Sequence, residues 1–179
     1  MDSKLRRWQL GGFLFTAAAG TLLHFLYDLS GENSFFAAIS AVNESVWEHM
    51  KLLFVPMFVA ALAEMVAFGD RYRCFWRVKL LGILVGLLII PVIHYTYTGV
   101  LGMRIAWVDI SSFYVAAAVV YLLETKLMTR CSRPSAVLEL GAMLLVWALA
   151  FLFLLMTYAP PEIPLFQDPV TGEWGIGEK

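Results

Sequence analysis

Long apolar stretches alternate with short polar connections along the whole chain. A helix needs about 20 mostly apolar residues to cross the roughly 30 Å hydrocarbon core of a bilayer, and five stretches approach or exceed that length. They cover residues 10–29, 52–68, 78–101, 107–123 and 136–158. The pattern predicts an all-α polytopic membrane protein, with five transmembrane helices in a single integral membrane domain over residues 1–179.

The segment 34–50 leads directly into the second apolar stretch, and the two together are too long for one crossing. Drawn as a helix, this region has one arc of polar residues and one of apolar residues. The polar arc holds Ser40, Asn43, Glu44, Glu48 and Lys51. We expect an amphipathic or shallow re-entrant helix on the outer surface. In a second interpretation Asn43 caps a new helix and Glu44 lies in its first turn, where a carboxylate favours the helix dipole.

Basic residues concentrate in every second connection, on one side of the predicted bundle. They precede the first span and fill the second-to-third and fourth-to-fifth connections: Lys4, Arg6, Arg7; Arg71, Arg73, Arg77, Lys79; Lys126, Arg130, Arg133. The positive-inside rule then predicts a cell-membrane protein with the N-terminus inside and the C-terminus outside. The N-terminus also resembles a signal peptide, but its apolar run continues past the Ala17–Ala19 site, so we expect an uncleaved span. The tail, 159–179, is expected to form turns that either fold over the outer mouth or are mobile.

Composition narrows the class of protein. The chain is 60% hydrophobic and 15% charged, whereas soluble domains carry roughly 25% charged residues. Thirteen basic and fourteen acidic residues nearly cancel, so no nucleic-acid partner is expected; the expected partner is membrane lipid, and small residues in the first and third spans permit an oligomer. Cys74 and Cys131 fall in connections assigned to the cytoplasm, where reduced thiols are expected.

The three histidines of the chain fall at one depth. At about 1.5 Å of rise per residue, His24 lies about 21 Å and His94 about 24 Å from the inner ends of their spans. His49 lies at the outer entrance of the second span, and Asp109 is at a similar depth in the fourth. We therefore expect an outward-facing polar cavity lined by His24, Asp28, Asn43, Glu44, Glu48, His49, His94 and Asp109.

These residue types favour a metal site. Neutral imidazoles and carboxylates suit zinc, iron or manganese, and we expect His24, His49, His94 and Asp28 to hold the ion, with Asp28 also placed to orient His24. A catalytic ion keeps one position for water, and Glu44 or Glu48 would then act as the general base. The prediction is a metal-dependent intramembrane hydrolase for a lipid or another membrane-associated substrate, with Asn43 and Asp109 completing the polar site.

Other interpretations use the same residues. The site would also suit an ion- or proton-coupled carrier or a small-solute binding protein, and a purely structural role is open. Haem ligation by two histidines is disfavoured beside a carboxylate cluster. Asp28 and Asp109 lie at span ends, where carboxylates contact headgroups or water. Glu64, Glu124 and Glu139 are expected to snorkel or to pair with Arg and Lys.

The segment before and into the second span carries a family resemblance. It reads Asn43-Glu44-Ser45-Val46-Trp47-Glu48-His49-Met50-Lys51-Leu52 and follows Leu23-His24-Phe25-Leu26-Tyr27-Asp28. The chain resembles a family of small bacterial polytopic membrane proteins of unknown function, which implies a bacterial cytoplasmic membrane and supplies no reaction. In its use of three histidines it also resembles the intramembrane hydrolases that hold zinc, although their seven spans and His-x-x-x-His pair are absent.

Overall fold

The computed structural model describes residues 3–131 and 135–176 of the 179-residue chain. Its helices are α1 (Ser3–Leu29), α2 (Ser34–Ala37), α3 (Val46–Phe68), a 3₁₀ turn (Gly69–Arg71), α4 (Phe75–Leu101), α5 (Ala106–Met128) and α6 (Ala136–Tyr158). Five of them are long and apolar enough to cross a membrane, which confirms the predicted all-α class. Arg133, counted above in the third basic group, lies outside the described residues.

The helices extend beyond the apolar stretches that predicted them. α1 begins at Ser3 and α3 begins at Val46, so α3 includes three polar residues, Glu48, His49 and Lys51, ahead of its apolar part. A helix can continue beyond its apolar part because its backbone hydrogen bonds do not depend on apolar side chains. The polar side chains at its end bind partners in neighbouring segments. Apolar length alone therefore underestimates the helices.

The α1–α3 connection differs from the amphipathic helix expected over 34–50. Only Ser34–Ala37 is helical, and the chain then turns until Val46. The cap of α3 is Ser45, whose side chain accepts from the Glu48 backbone N–H; the alternative of a cap at Asn43 is therefore two residues too early. The loop is stable without helical hydrogen bonds because side chains satisfy its backbone. The Val42 N–H donates to Glu48 at 3.0 Å, and the Ala37 carbonyl accepts from Lys51 at 2.9 Å.

Successive long helices run in alternating directions and form a bundle around α3, the most buried helix. α1 packs against α3 and α5, α4 packs against α5 and α3, and α6 packs mainly against α4. One end of the bundle, the histidine end, carries His24, His49 and His94. The other, the cysteine end, carries Cys74 and Cys131.

The C-terminal segment is ordered against the histidine end, at least to residue 176. The Trp47 backbone N–H, which the first turn of α3 leaves unpaired, donates to the Leu165 carbonyl at 3.0 Å. The Trp47 ring lies between Phe153 and Phe166, with centroids 4.4 and 4.6 Å away. Of the two alternatives for the tail, the folded one holds for the part that the structure describes; 177–179 lie outside it.

The two cysteines meet at the cysteine end and are paired as a disulfide, with their Cα atoms 6.1 Å apart. The structure thus pairs two residues for which the sequence predicts reduced thiols. The α3–α4 and α5–α6 connections are brought together because α4 lies beside both α3 and α6.

Candidate functional site

Two of the three histidines converge on one carboxylate at the histidine end. His24 Nε2, from α1, lies 3.3 Å from Glu44 Oε1, and His49 Nε2, from α3, lies 3.7 Å from Glu44 Oε2. One potential ligand atom from each of the three residues lies within 4.8 Å of the other two. The site therefore joins two membrane helices to the loop that precedes α3, in a geometry that suits a single cation.

The tautomer of His49 follows from its second contact. Its Nδ1 lies 2.8 Å from the Ser45 carbonyl, and because a carbonyl only accepts, Nδ1 carries the hydrogen. In a neutral ring Nε2 then presents its lone pair towards the Glu44 carboxylate. Two electron-rich atoms facing each other are stabilised by a cation between them, either a metal ion or a proton on the ring. A backbone carbonyl that fixes the tautomer is also the usual support of a metal-binding imidazole.

Glu44 lies in an electropositive surrounding. Besides the histidines, its Oε2 accepts from Arg104 Nη2 at 3.0 Å. The hydrogen bond with His24 lowers the pKa of Glu44, partial burial opposes this, and Arg104 lowers it further, to about 2. With 37% of its side chain exposed, Glu44 is an ionised carboxylate that remains open to exchange with solvent.

His94 lies outside this three-residue group and belongs to a neighbouring network. Its Nδ1 lies 2.9 Å from Asp109 Oδ1, which also accepts from the Tyr97 hydroxyl at 2.9 Å. Arg104 Nε donates to the second oxygen of Asp109 at 2.9 Å. Arg104 thus bridges Glu44 and Asp109. The Arg104 guanidinium lies between the Glu44 and Asp109 carboxylates. It therefore separates His94, the third histidine of the expected site, from His24 and His49.

The remaining expected site residues have other surroundings. Glu48 is buried, and its carboxylate binds Lys51 Nζ at 2.6 Å, which makes it a structural ion pair rather than a base facing the histidines. Asn43 spans the loop, since its Oδ1 accepts from the Ser45 N–H and its Nδ2 donates to the Gly175 carbonyl. Asp28 is exposed and is not part of the three-residue group found among the described residues.

A cavity of about 170 Å³ adjoins the histidines. His24, His49 and Asp109 contribute its polar lining, and most of its other lining residues are apolar or aromatic: Gly20, Thr21, Phe25, Leu52, Ile110, Phe113 and Tyr114. The site therefore offers polar atoms at one side of a mostly apolar pocket, the usual composition of a small-molecule site.

Sequence reasoning missed Arg104 and Lys51 as partners of the site carboxylates. Along the sequence, Arg104 is a single basic residue in the connection between 78–101 and 107–123, and Lys51 is part of the polar arc. The expectation that Glu139 pairs with a basic residue is confirmed by its 2.6 Å contact with Arg77. Glu64 and Glu124 also pair with a lysine, Lys79. From the sequence, Lys79 is placed in the connection between the second and third spans, whereas it lies within α4.

Comparison with protein families gives one match. A model described as a family of unknown function, DUF6512, covers residues 1–176. No curated protein and no solved structure matches the chain. The chain belongs to this uncharacterised family.

Proposed function

We propose that this protein binds a divalent metal ion through His24, Glu44 and His49 and uses it to hydrolyse a lipid or another membrane-associated substrate. The observation that carries the proposal is the convergence of two imidazole Nε2 atoms on one ionised carboxylate beside an apolar cavity. Three protein ligands leave a fourth position for water or substrate, as in catalytic zinc sites. Zinc, iron and manganese all accept this ligand set.

The chemistry assigned to the site is metal-assisted ester hydrolysis. A divalent ion held by His24, Glu44 and His49 would lower the pKa of a bound water and so supply a nucleophile for the ester. The Asp109–His94 pair, whose Asp109 lines the same cavity, would accept the proton of that water and return it to the leaving oxygen as the ester C–O or P–O bond breaks. In this proposal the general base is not Glu48, because its carboxylate is paired with Lys51. Glu44 is a metal ligand rather than the general base.

Substrate class follows from the cavity and from Arg104. Apolar residues such as Phe25, Leu52 and Phe113 fit an alkyl or acyl chain. The Arg104 guanidinium, 26% exposed beside the group, favours an anionic substrate oxygen, since its planar fork suits carboxylate and phosphate. An anionic amphiphile combines both features.

Metal content of the purified protein, measured by elemental analysis with three alanine variants, tests the proposal. We expect His24→Ala and His49→Ala to lose the metal. His94→Ala is the matched control, because it removes a histidine at the same end but outside the ligand group; it should retain the metal and lose hydrolysis. Wild-type protein carrying no more metal than the His24→Ala and His49→Ala variants would refute the metal site. Metal binding with uptake into vesicles and no turnover would favour a carrier instead.

We further propose that the histidine end faces away from the cytoplasm of a bacterial cell membrane, with the N-terminus inside and the C-terminus outside. The distribution of Lys and Arg supports this orientation. The Cys74–Cys131 disulfide argues for the opposite one, because disulfides are rare in the cytosol. A reporter active only outside the cytoplasm, fused to the C-terminus, should be active; a silent fusion that is stably produced reverses the orientation.

A further inference from the structure

A second ionic cluster lies within the bundle, on the cysteine-end side of the histidine site. It consists of Gln9, Glu64, Lys79 and Glu124, contributed by α1, α3, α4 and α5, and is called the lysine cluster below. All four side chains are at most 3% exposed. Lys79 Nζ lies 2.6 Å from Glu64 Oε2 and 2.5 Å from Glu124 Oε2, and Gln9 Nε2 donates to Glu64 Oε2 at 2.9 Å.

The lysine cluster contains one more negative charge than positive charge when every group is ionised. Two carboxylates share one ammonium, and the other close neighbours are neutral. The rings of Phe75 and Tyr121 lie 5.8 and 5.7 Å from Lys79 Nζ, and the Tyr121 hydroxyl is engaged with Thr16 at 2.8 Å. An uncompensated charge inside a membrane bundle is strongly unfavourable, so a further cation is required for neutrality.

Two polar atoms of the cluster lack hydrogen-bond partners. Glu64 Oε1 and Gln9 Oε1 are buried and unpaired, and both are acceptors when Glu64 is ionised. Such atoms in a bilayer-embedded protein are rare because each costs several kcal/mol. A missing donor and a missing positive charge in the same cluster point to the same missing species.

A groove between α1 and α3 leads to Glu64. Its volume is about 400 Å³, and it is lined mainly by apolar residues, with Arg7 and Trp8 from the first turns of α1 and Glu64 at its inner wall. Arg7 is exposed and lies at the cysteine end. The groove extends from Arg7 at the cysteine end to the wall that contains Glu64, and its apolar lining disfavours a hydrated metal ion. A hard metal ion would also need about six oxygen ligands, far more than the two unpaired acceptors supply.

We propose that the lysine cluster is an exchangeable proton-binding site, in which a proton entering along the α1–α3 groove adds to Glu64 and converts its carboxylate into a neutral carboxylic acid. The bound state then balances one ammonium against one carboxylate, that of Glu124. The proton comes from water at the cysteine end and returns to it by the same route. The inference is independent of the metal site, because it involves none of His24, Glu44 and His49.

Infrared spectroscopy of the purified protein in lipid nanodiscs tests this directly, because a protonated carboxylic acid has its own C=O stretching band. In spectra recorded between about pH 5 and about pH 9, we expect such a band in wild-type protein and expect it to shift on exchange into D₂O. Glu64→Gln and Glu124→Gln should each abolish it, because either leaves one carboxylate against one ammonium. Lys79→Met should roughly double it, because both carboxylates must then be neutralised.

Glu139→Gln is the matched control. Glu139 lies at the cysteine end and is paired one-to-one with Arg77, so its removal should leave the band unchanged. The proposal is overturned if the wild-type protein shows no acid band at any pH in this range, or if the band survives either glutamine substitution in the cluster. It is also overturned if added sodium at fixed pH removes the band, since the site would then prefer a metal cation.

Discussion

The histidine-end site and the lysine cluster are formed by the same helices but differ in contact with water. At the histidine end the key carboxylate, Glu44, comes from a loop and has 37% of its side chain exposed. In the lysine cluster both carboxylates come from helix interiors and are about 1% exposed. The first environment allows ligands to exchange, and the second admits only the smallest cation. Burial, more than residue type, thus separates the two proposed functions.

The comparison also shows how cations are distributed. Arg104 at the histidine end faces two carboxylates, Glu44 and Asp109, each of which also meets a histidine. Lys79 likewise faces two carboxylates, but the further polar partner that the described residues supply to them is the neutral amide of Gln9. Imidazoles accept protons near neutral pH, so the histidine end adjusts its own charge, whereas the lysine cluster depends on an added proton.

Removing the central cation should have the largest effect and should differ sharply between the two regions. Lys79→Met removes the ammonium that both buried carboxyl groups contact, and we expect the free energy of unfolding to fall by about 3–5 kcal/mol. Arg104→Met removes two partly exposed ion pairs, with Glu44 and Asp109, and should cost about 1 kcal/mol or less for each. Unfolding by SDS titration in mixed micelles measures both. Equal losses would contradict the contrast in burial.

Adding a methyl group at a glycine beside each region should have an intermediate effect on the free energy of unfolding. A Cβ on Gly20 would lie 2.5 Å from Phe113 and 2.9 Å from the Leu52 carbonyl, so Gly20→Ala should destabilise the bundle by about 1–3 kcal/mol and lower metal content by separating His24 from His49. Gly11→Ala, in the groove beside the lysine cluster, meets open space. It should be neutral or stabilising by about 0.5–1 kcal/mol. The same SDS titration and elemental analysis report both changes, and a neutral Gly20→Ala would refute the close approach of α1.

Acid should have the smallest effect on stability, and we expect the histidine end to contribute to it through Glu44. The pKa of Glu44 is lowered from 4.5 to about 2, first by its hydrogen bond with His24 and also by Arg104. Its contribution to stability is therefore complete above about pH 4.5 and is lost as the pH falls towards 2. The metal-free protein should lose thermal stability between about pH 4.5 and about pH 2, and Glu44→Gln should lose less. Glu162→Gln, an exposed tail variant, is the control and should behave as wild type.

Some features of the site could be read from the sequence because they depend on position along one helix. The matched depth of His24 and His49 follows from the helical rise, and the two rings do meet, with centroids 5.6 Å apart. The same reasoning placed His94 at the correct end. It could not show that His94 faces Asp109, because depth fixes height along a helix and leaves rotation about the axis undetermined.

The roles of Glu44 and Glu48 illustrate what local pattern cannot distinguish. The two residues are four apart and shared one arc of the expected amphipathic helix. Because the chain is not helical between Ala37 and Val46, they are separated: Glu44 faces the histidines and Glu48 turns inward to Lys51. Lys51 in turn bonds the Thr157 hydroxyl of α6 at 2.9 Å, a partner 106 residues away that no local pattern reveals.

The sequence by itself determined the number of membrane-length helices, their alternating direction and the end at which the histidines gather. These are properties of apolar length and helical rise, which act along a single segment. Only the tertiary structure decided which charges are paired, which carboxylate stays open to solvent and which one lacks a partner. Those outcomes depend on contacts between residues that are distant in sequence. The low dielectric constant of the packed bundle makes each charge–charge interaction stronger than it would be in water.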